Sequence, residues 1–335
     1  MRNLVLLIAW CWAAMAGATE WEERQVFAGS GDGPTLRVIS STDIAVFAPI
    51  IDSFLAGNPG VSIEYLVTGS TATDTVFRAA PDRFDLVISS AMDLQLKLVN
   101  DGFAQQVPDI VHPDWAQWRH SLFGFTREPA AIVINKAAFQ TLPIPRSRQQ
   151  LIEVLRANPE LFRGRLGTYD VRESGLGYLF ATQDARASET YWRLTEVMGG
   201  LGSRLYCCSG DMIRDLVRGD IAVAYNVLAS YASARADAAD DIAVILPSDF
   251  PTTMMRTAFV AKAAPNPEPA KAFLRHLTSS RWQTAGASGG PLPALTTAAN
   301  KSQFATITLE PGLMTYLDRL KRQTFIMEWE SAIIQ

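Results

Sequence analysis

A short apolar run followed by a polar loop and then by apolar residues at helical spacing occurs three times in the first hundred residues. The predicted strands are 36–39, 61–67 and 84–88, and the predicted helices are 47–55, 76–80 and 94–99. Strands and helices that alternate with short loops are typical of an α/β fold with a parallel sheet. The loops that follow the three strands are therefore expected to lie along one edge of that sheet.

These three loops are rich in hydroxyl side chains. They span residues 40–43, 68–74 and 89–93, and each contains more Ser and Thr than a helix cap requires. Ligands of open α/β sheets bind beyond the carboxyl ends of the strands, so the loops predict a ligand cleft. The alternative is that these side chains only cap the helices that follow.

The strand, loop and helix pattern returns in the second half of the chain and predicts a second lobe. A strand at 166–169 precedes the loop 170–177 and a helix from Tyr178, and the chain then returns to the first lobe through a strand at 257–261. The predicted units are a first lobe of 34–128 plus about 252–285, a second lobe of about 129–251, and a helical segment of about 286–335 packed on the second lobe.

The N-terminal residues resemble an export signal. The apolar run 4–17 follows Arg2, is shorter than a membrane span, and ends in the small residues 16–18 that a signal peptidase requires. We therefore expect a signal peptide at 1–18, a mature chain from Thr19 and a periplasmic location. An uncleaved membrane anchor is the alternative.

Composition and charge restrict the possible partners. The chain has 335 residues, 48% of them hydrophobic, which suits two packed lobes. Its net charge of -4, without any basic run, excludes the electrostatic footprint of a nucleic-acid or anionic-membrane binder. A small molecule or another protein is the expected partner.

The cysteines and histidines do not predict a metal site. Cys207 and Cys208 are the two cysteines outside the predicted signal peptide, and they form either a vicinal disulfide or two free thiols. The three histidines are scattered without metal-ligand spacing, so we expect no metal and no cofactor.

The order of these segments resembles the extracellular solute-binding proteins of ABC transporters. The resemblance is to the branch with the type II periplasmic-binding fold that includes ferric-ion and phosphonate binders. It is carried by residues 38–41, 85–102, 170–178, 225–226 and 266–274. It implies two α/β lobes with mostly parallel sheets flanked by helices, a ligand cleft between the lobes, hinge closure on the solute, and no enzymatic activity.

The resemblance also implies which residues contact the solute. They are Ser41, Thr42, Ser70, Thr71, Ser90 and Ala91 from the first lobe, and Ser174, Gly175, Gly177, Tyr225 and Asn226 from the second. Hydroxyls and backbone N–H groups at helix N-termini hold an anion without a buried cation, so we expect a carboxylate or a phosphonate/phosphate solute. Leu176 stands where relatives carry a hydroxyl, which argues against a phosphate-specific site.

Ferric binders of this branch use two adjacent tyrosines, because a hard trivalent cation favours phenolate oxygens. This chain has Tyr225 followed by Asn226, and Tyr231 comes five residues later. Both tyrosines could instead pack at the hinge. We therefore expect no tight binding of iron.

The predicted role is the solute-binding component of an importer, a monomer that delivers its solute to a membrane permease. A solute sensor that presents its closed form to a membrane sensor kinase is the alternative. A secreted hydrolase is a more remote one, because residues 286–290 match the pattern of a nucleophile elbow. Pro291 follows immediately and prevents the helix that such an elbow requires, so we interpret this segment as a loop.

Overall fold

Two β-sheets, each flanked by helices, organise the chain in the computed structural model, which describes residues 21–279, 282, 292–295 and 305–335. The strands in these residues are Glu23–Phe27 (β1), Thr35–Ser40 (β2), Ser62–Val67 (β3), Leu86–Ser89 (β4), Gln117–Trp118 (β5), Leu122–Gly124 (β6), Glu128–Asn135 (β7), Leu166–Tyr169 (β8), Arg204–Tyr206 (β9), Val223–Leu228 (β10), Ile242–Ile245 (β11), Thr253–Met254 (β12) and Thr257–Val260 (β13). The α-helices are Ile44–Gly57 (α1), Ser70–Ala79 (α2), Met92–Asn100 (α3), Arg148–Ala157 (α4), Pro159–Phe162 (α5), Gly175–Ala187 (α6), Thr190–Gly200 (α7), Ser209–Arg218 (α8), Ala229–Ser233 (α9), Pro267–Thr278 (α10) and Arg319–Ile333 (α11).

The first sheet has the strand order β1-β3-β2-β4-β13-β6-β5. Strands β3, β2 and β4 are parallel, as the repeated strand and helix pattern predicts. Strand β1 is antiparallel to β3, and β13 is antiparallel to both β4 and β6. The sheet is therefore mixed, and its parallel centre places the loops after β2, β3 and β4 at one edge. We call this sheet and its helices the first lobe.

The second sheet has the order β11-β7-β10-β8-β9, with β12 paired to β7. Strands β10, β8 and β9 are parallel, whereas β7 is antiparallel to β10 and β11. The loops after β8 and β9 therefore lie at one edge of this sheet. We call this sheet and its helices the second lobe.

The chain crosses between the sheets twice in the described residues. It passes from β6 to β7 through residues 125–127, and it returns from β12 to β13 through residues 255–256. Both crossings are buried except for Arg127, which is partly exposed, and one apolar core extends through the first lobe into the second. The crossings are short and packed on both sides, so they are suited to act as a hinge.

A second core lies within the second lobe and includes side chains of the C-terminal helix α11. Phe325 and Trp329 of this helix are buried there, and the Phe325 ring lies 5.6 Å from that of Tyr178 in α6. The 3-10 helix Pro311–Leu317, just before α11, packs instead against α3 of the first lobe. The C-terminal segment therefore contacts both lobes.

The elements predicted between residues 36 and 277 are present, with ends that differ by a few residues. Strand β1 was not predicted, and it joins the first sheet although it precedes residue 34. The predicted signal peptide and the segment 286–290 lie outside the described residues. No helix among the described residues is long and apolar enough to cross a membrane.

Candidate functional site

A narrow cavity with a volume of about 30 Å³ lies between the two lobes, at the edges where the strand-end loops meet. Small-molecule sites usually have volumes of roughly 300–1,000 Å³, so the two lobes have to move apart to admit a solute. Its walls consist mainly of hydroxyl and charged side chains from the first lobe and of a mixture of polar and apolar side chains from the second. The residues that line it are Glu22, Ser41, Asp43, Thr68, Gly69, Ser70, Ser90, Tyr169, Ser174, Leu176, Cys207, Cys208, Ser209, Leu228, Tyr231 and Arg256.

Five helices of nine or more residues begin at this cavity. It is lined by residues at or beside the N-caps of α1, α2, α3, α6 and α8. The N-cap residues of α1, α2, α3 and α8 make no side-chain capping hydrogen bond, and at α1 the Glu23 carboxylate accepts a hydrogen bond of 2.6 Å from the Ile44 N–H. Backbone N–H groups at helix N-termini carry partial positive charge, so their convergence favours a negatively charged group in the cavity.

The hydroxyls of the first lobe form a compact group. The Ser41 Oγ lies 3.3 Å from the Oγ of both Ser89 and Ser90, and it accepts a hydrogen bond from the Ser90 N–H at 3.1 Å. A serine hydroxyl has one donor and two acceptor positions. The group is therefore held in place from within and retains donors that can face a bound solute.

Ser70 joins the two lobes directly. Its Oγ accepts a hydrogen bond of 3.1 Å from the N–H of Leu176 in the first turn of α6. Gly175 lies so close that a Cβ at this position would be 3.1 Å from the Ala91 Cβ and 3.3 Å from the Ser70 Oγ. Glycine at 175 therefore permits the close approach of α6 to the first lobe, and the cleft is closed in this structure.

Two carboxylates also line the cavity. Burial raises the pKa of Asp43 and Glu23 raises it further, whereas Arg256 and a hydrogen bond from Tyr231 oppose the shift. Burial likewise raises the pKa of Glu22, and Asp43 adds to the rise, whereas a hydrogen bond from the Gly69 N–H opposes it. Glu22 and Asp43 therefore bind a proton more readily than the same side chains do in water.

Arg256, in the second crossing, has its positive charge balanced within the protein. The guanidinium of this buried side chain contacts Glu128 through its Nε at 2.8 Å and its Nη2 at 3.1 Å. Its Nη1 also donates to the Thr42 Oγ1 at 2.5 Å. The Ser230 Oγ of the second lobe donates to the same Glu128 at 2.5 Å. This network ties the hinge to both lobes and places a cation at the base of the cavity.

Ser174 both lines the cavity and caps α6. Its Oγ accepts a hydrogen bond of 3.1 Å from the Gly177 N–H, which satisfies one N–H of the first turn. The side chain of Ser174 is buried. Gly177 packs on the other side, because a Cβ there would lie 2.3 Å from the Tyr169 Cβ.

Tyr225 and Asn226 do not line this cavity. The Tyr225 hydroxyl accepts from the Arg148 Nε at 2.7 Å and donates to the Asp184 Oδ2 at 2.8 Å, and the Asn226 Nδ2 donates to the same carboxylate oxygen at 2.7 Å. The register of β10 shifts between Ala224 and Val227, and Asn226 has a φ of 60°. Asparagine tolerates this left-handed conformation, and the bulge turns both side chains into the second lobe.

Thr42, Thr71 and Ala91 were predicted to contact the solute, but unlike Ser41, Ser70 and Ser90 they lie outside the cavity lining. None of these three lines the cavity, although Thr42 receives the Arg256 hydrogen bond and Ala91 packs against the position of Gly175. Of the eleven predicted residues, the cavity brings together Ser41, Ser70, Ser90 and Ser174.

Sequence reasoning missed several residues of the cleft. Cys208 and Ser209 follow strand β9 directly, so the same strand-end argument would have found them. Cys207 and Cys208 form the vicinal disulfide, which answers the question that the sequence left open. Nothing in the local pattern marks Arg256 or Glu22, because strand β1 and the second crossing reach the cleft through long-range pairing.

Residues 39–284 match the family model of the bacterial extracellular solute-binding proteins. The match covers both lobes and every predicted cleft residue. The chain belongs to this family. The hydroxyl-lined cavity between the lobes lies where a protein that encloses a solute requires its binding site.

Solved structures agree with this assignment. The solute-binding protein is 32% identical to the substrate binding protein of an ABC transporter from Agrobacterium tumefaciens, with a TM-score of 0.87 over 93% of this chain and 98% of that one. The fold is also that of the periplasmic binding protein AfuA from Actinobacillus pleuropneumoniae with fructose-6-phosphate bound (16% identity, TM-score 0.71, 90% and 98% covered). A further neighbour is iron-bound HitA from Pseudomonas aeruginosa (15% identity, TM-score 0.66, 89% and 99% covered).

These findings establish a solute-binding component of an ABC transporter, with the two-lobed α/β fold and without enzymatic function. None of the curated proteins compared with the chain matches it. In the described part of the chain, no group of three His, Cys, Asp or Glu side chains could hold a metal ion.

Proposed function

We propose that this protein is the periplasmic component of an ABC importer that captures a small anionic solute between its lobes and delivers it to a membrane permease. The anionic group is a carboxylate or a phosphonate/phosphate. The proposed lobes are 34–128 plus about 252–285 and about 129–251, which agree with the crossings at 125–127 and 255–256. The comparisons give no support to a sensor-kinase partner.

One observation carries the proposal: five helix N-termini meet at one closed cavity. Each N-terminus contributes partial positive charge. The hydroxyls of Ser41, Ser70, Ser90 and Ser174 add hydrogen-bond donors for an oxyanion. Arg256 also lies at the base of the cavity, where its charge is paired with Glu128. We propose the four serines as solute contacts and Thr42, Thr71, Ala91, Gly175, Gly177, Tyr225 and Asn226 as supporting residues of the cleft and hinge.

The carboxylates of Glu22 and Asp43 should make the binding of such a solute depend on pH. An anion beside them raises their pKa values further, because two negative charges then share a closed site. Binding an anion is therefore coupled to the uptake of protons by these groups. We expect affinity for an anionic solute that keeps its own charge to increase as the pH falls.

The identity of the solute is tested by native mass spectrometry of protein purified from its own periplasm. Methylphosphonate, acetate and inorganic phosphate are then titrated calorimetrically at several pH values, with methylamine and glycerol as cationic and neutral controls. We expect the anions to bind, with higher affinity at low pH. Binding of methylamine alone, or affinity for the anions that falls as the pH falls, would contradict the proposal.

Ser90→Ala tests the hydroxyl group directly. A hydrogen bond to a charged group contributes about 1.5 to 3 kcal/mol, so this substitution should weaken anion binding roughly 10- to 150-fold. Ser331→Ala, on the exposed part of α11, is the matched control and should leave affinity unchanged. Equal affinities of the two variants would remove Ser90 from the site.

A further inference from the structure

The two residues that connect strand β9 to helix α8 are the vicinal disulfide. Strand β9 ends at Tyr206 and α8 begins at Ser209, so Cys207 and Cys208 are the entire connection. Both residues line the cavity between the lobes. Cys207 is exposed and Cys208 is half-buried, so one side of the disulfide faces the space that a solute would enter.

The protein holds this disulfide in place from both sides. On the strand side, the Asp170 N–H donates to the Tyr206 carbonyl at 2.8 Å. On the helix side, the hydroxyls of Tyr169 and Ser209 lie 2.5 Å apart. Gly210, in the first turn of α8, faces the first lobe so closely that a Cβ there would lie 3.0 Å from the Asp43 Oδ2. The disulfide is therefore a fixed part of the cavity wall.

The disulfide belongs to an apolar strip on the second lobe. Leu176 and Leu228 also line the cavity, and with Cys207 and Cys208 they are the apolar residues of a wall that also carries the hydroxyls of Tyr169, Ser174, Ser209 and Tyr231. Sulfur is at most a weak hydrogen-bond acceptor. The first lobe, by contrast, presents the hydroxyls of Ser41, Ser70 and Ser90. The two walls of the cavity thus differ in polarity.

We propose that the Cys207–Cys208 disulfide contacts the carbon skeleton of the solute, so that the cleft selects an organic anion with a hydrocarbon portion over an inorganic oxyanion. This inference rests on the proposed function. The anionic group lies at the helix N-termini and the hydrocarbon lies against the apolar strip. An intact disulfide makes this surface flat and rigid, whereas two separate thiols rotate independently.

The test measures affinity against the length of the hydrocarbon. Inorganic phosphate, methylphosphonate, propylphosphonate and phenylphosphonate are titrated calorimetrically into the full mature protein. Each methylene that is buried should increase affinity up to roughly fourfold. Propylphosphonate and phenylphosphonate should therefore bind roughly tenfold more tightly than methylphosphonate, and inorganic phosphate should bind most weakly.

Reduction tests the disulfide itself. Dithiothreitol is chosen because it is an uncharged dithiol that does not compete for an anion site. Its two thiols are oxidised to a cyclic disulfide while the Cys207–Cys208 bond breaks and each cysteine sulfur gains a proton. Alkylation with iodoacetamide and intact mass confirm that both thiols have formed. After reduction, the gain in affinity with hydrocarbon length should decrease at least roughly threefold.

Variants repeat the test without a reductant. Cys207→Ser with Cys208→Ser should show the same loss, and dithiothreitol should have no further effect on it. Arg214→Ala, on the exposed side of the same helix, is the matched control and should retain the full dependence on length. Circular dichroism melts check folding, and the reduced wild-type protein provides the result if the double variant does not fold.

The outcomes separate the two proposals. This inference is overturned if affinity does not depend on hydrocarbon length, or if that dependence is unchanged after reduction. Either result leaves the proposed anion site unaffected. A protein that binds none of these anions overturns the proposed anionic solute and this inference together.

Discussion

The hydroxyl of Ser174 can cap helix α6 and donate a hydrogen bond into the cavity at the same time. Its oxygen accepts the Gly177 N–H as the cap of α6, while the side chain also lines the cavity. Capping uses an acceptor position of the hydroxyl and leaves its hydrogen available as a donor. A cap and a solute contact are therefore compatible at this residue, although from the sequence they stood as alternatives.

We predict that Ser174→Ala lowers both stability and affinity. Loss of the cap should cost about 0.5 to 2 kcal/mol of unfolding free energy, and loss of the donor should weaken binding of an anionic solute roughly 10- to 150-fold. Ser147 caps α4 away from the cavity in the same way, so Ser147→Ala should lower stability alone. Thermal melts and calorimetric titration of both variants measure the two effects. A Ser174 variant that loses only stability would restrict this residue to capping.

Tyr225 and Asn226 show where residue-level prediction from sequence ends. They lie within β10, and the partners of Tyr225 are Arg148 and Asp184, which are 77 and 41 residues away in sequence. A buried carboxylate and guanidinium compete for these side chains more strongly than a solvated cleft does. The position of the four serines at the cavity followed from local order along the chain, whereas the direction of these two side chains depends on distant charges.

Two buried ion pairs stabilise the elements around the hinge. Arg256 pairs with Glu128 beside the crossings, and Arg148 pairs with Asp184 inside the second lobe. The Asp184 carboxylate also accepts hydrogen bonds from Tyr225, Asn226 and Thr252, so it joins α6 to β10 and to the segment before β12. All the charged partners in these two pairs are almost completely buried.

We predict that Asp184→Ala destabilises the protein severely. Removing one partner of a buried pair leaves Arg148 with an incompletely balanced charge, which should cost about 3 to 5 kcal/mol. Asp237 pairs with Arg235 on the surface, where solvent screens the pair, so Asp237→Ala should leave stability almost unchanged. Urea denaturation followed by circular dichroism compares the two variants. Similar midpoints for both would contradict a structural role for the buried pair.

The elements of the fold were largely predictable, and the exceptions have a common cause. Helices and parallel strands were found because their apolar residues repeat at short range. Strand β1 was missed because four of its five side chains are exposed, so it lacks an apolar pattern. The periodicity of apolar residues likewise could not predict that β13 lies antiparallel between β4 and β6. Both features depend on pairing between residues far apart in the chain.

The closed arrangement of the whole molecule relies on direct contacts between the lobes. Ser70 accepts the Leu176 N–H, Asp43 receives a hydrogen bond from Tyr231, and Gly175 lies against Ala91. These contacts involve no bound solute. They provide part of the free energy that a solute otherwise has to supply for closure.

We predict that Ser70→Ala shifts the protein without solute towards an open form. Loss of one net hydrogen bond of about 0.5 to 1.5 kcal/mol should change the closed-to-open ratio roughly 2- to 12-fold. Small-angle X-ray scattering should then give a larger radius of gyration than for the wild type. Thr75→Ala, on the exposed side of α2, is the control and should scatter like the wild type. An unchanged radius for Ser70→Ala would mean that other contacts determine closure.

The position of β13 in the first sheet also favours an order in which the two sheets fold. Thr257 bonds Ser89 across 168 residues of sequence, whereas the strands of the second sheet all come from the single stretch 128–254 between these partners. Closing a long loop costs more chain entropy than closing a short one, so the second sheet is able to form first. Until β13 arrives, β4 is an unpaired edge of buried apolar residues. A chain that stops after the second lobe therefore exposes the edge most prone to aggregation.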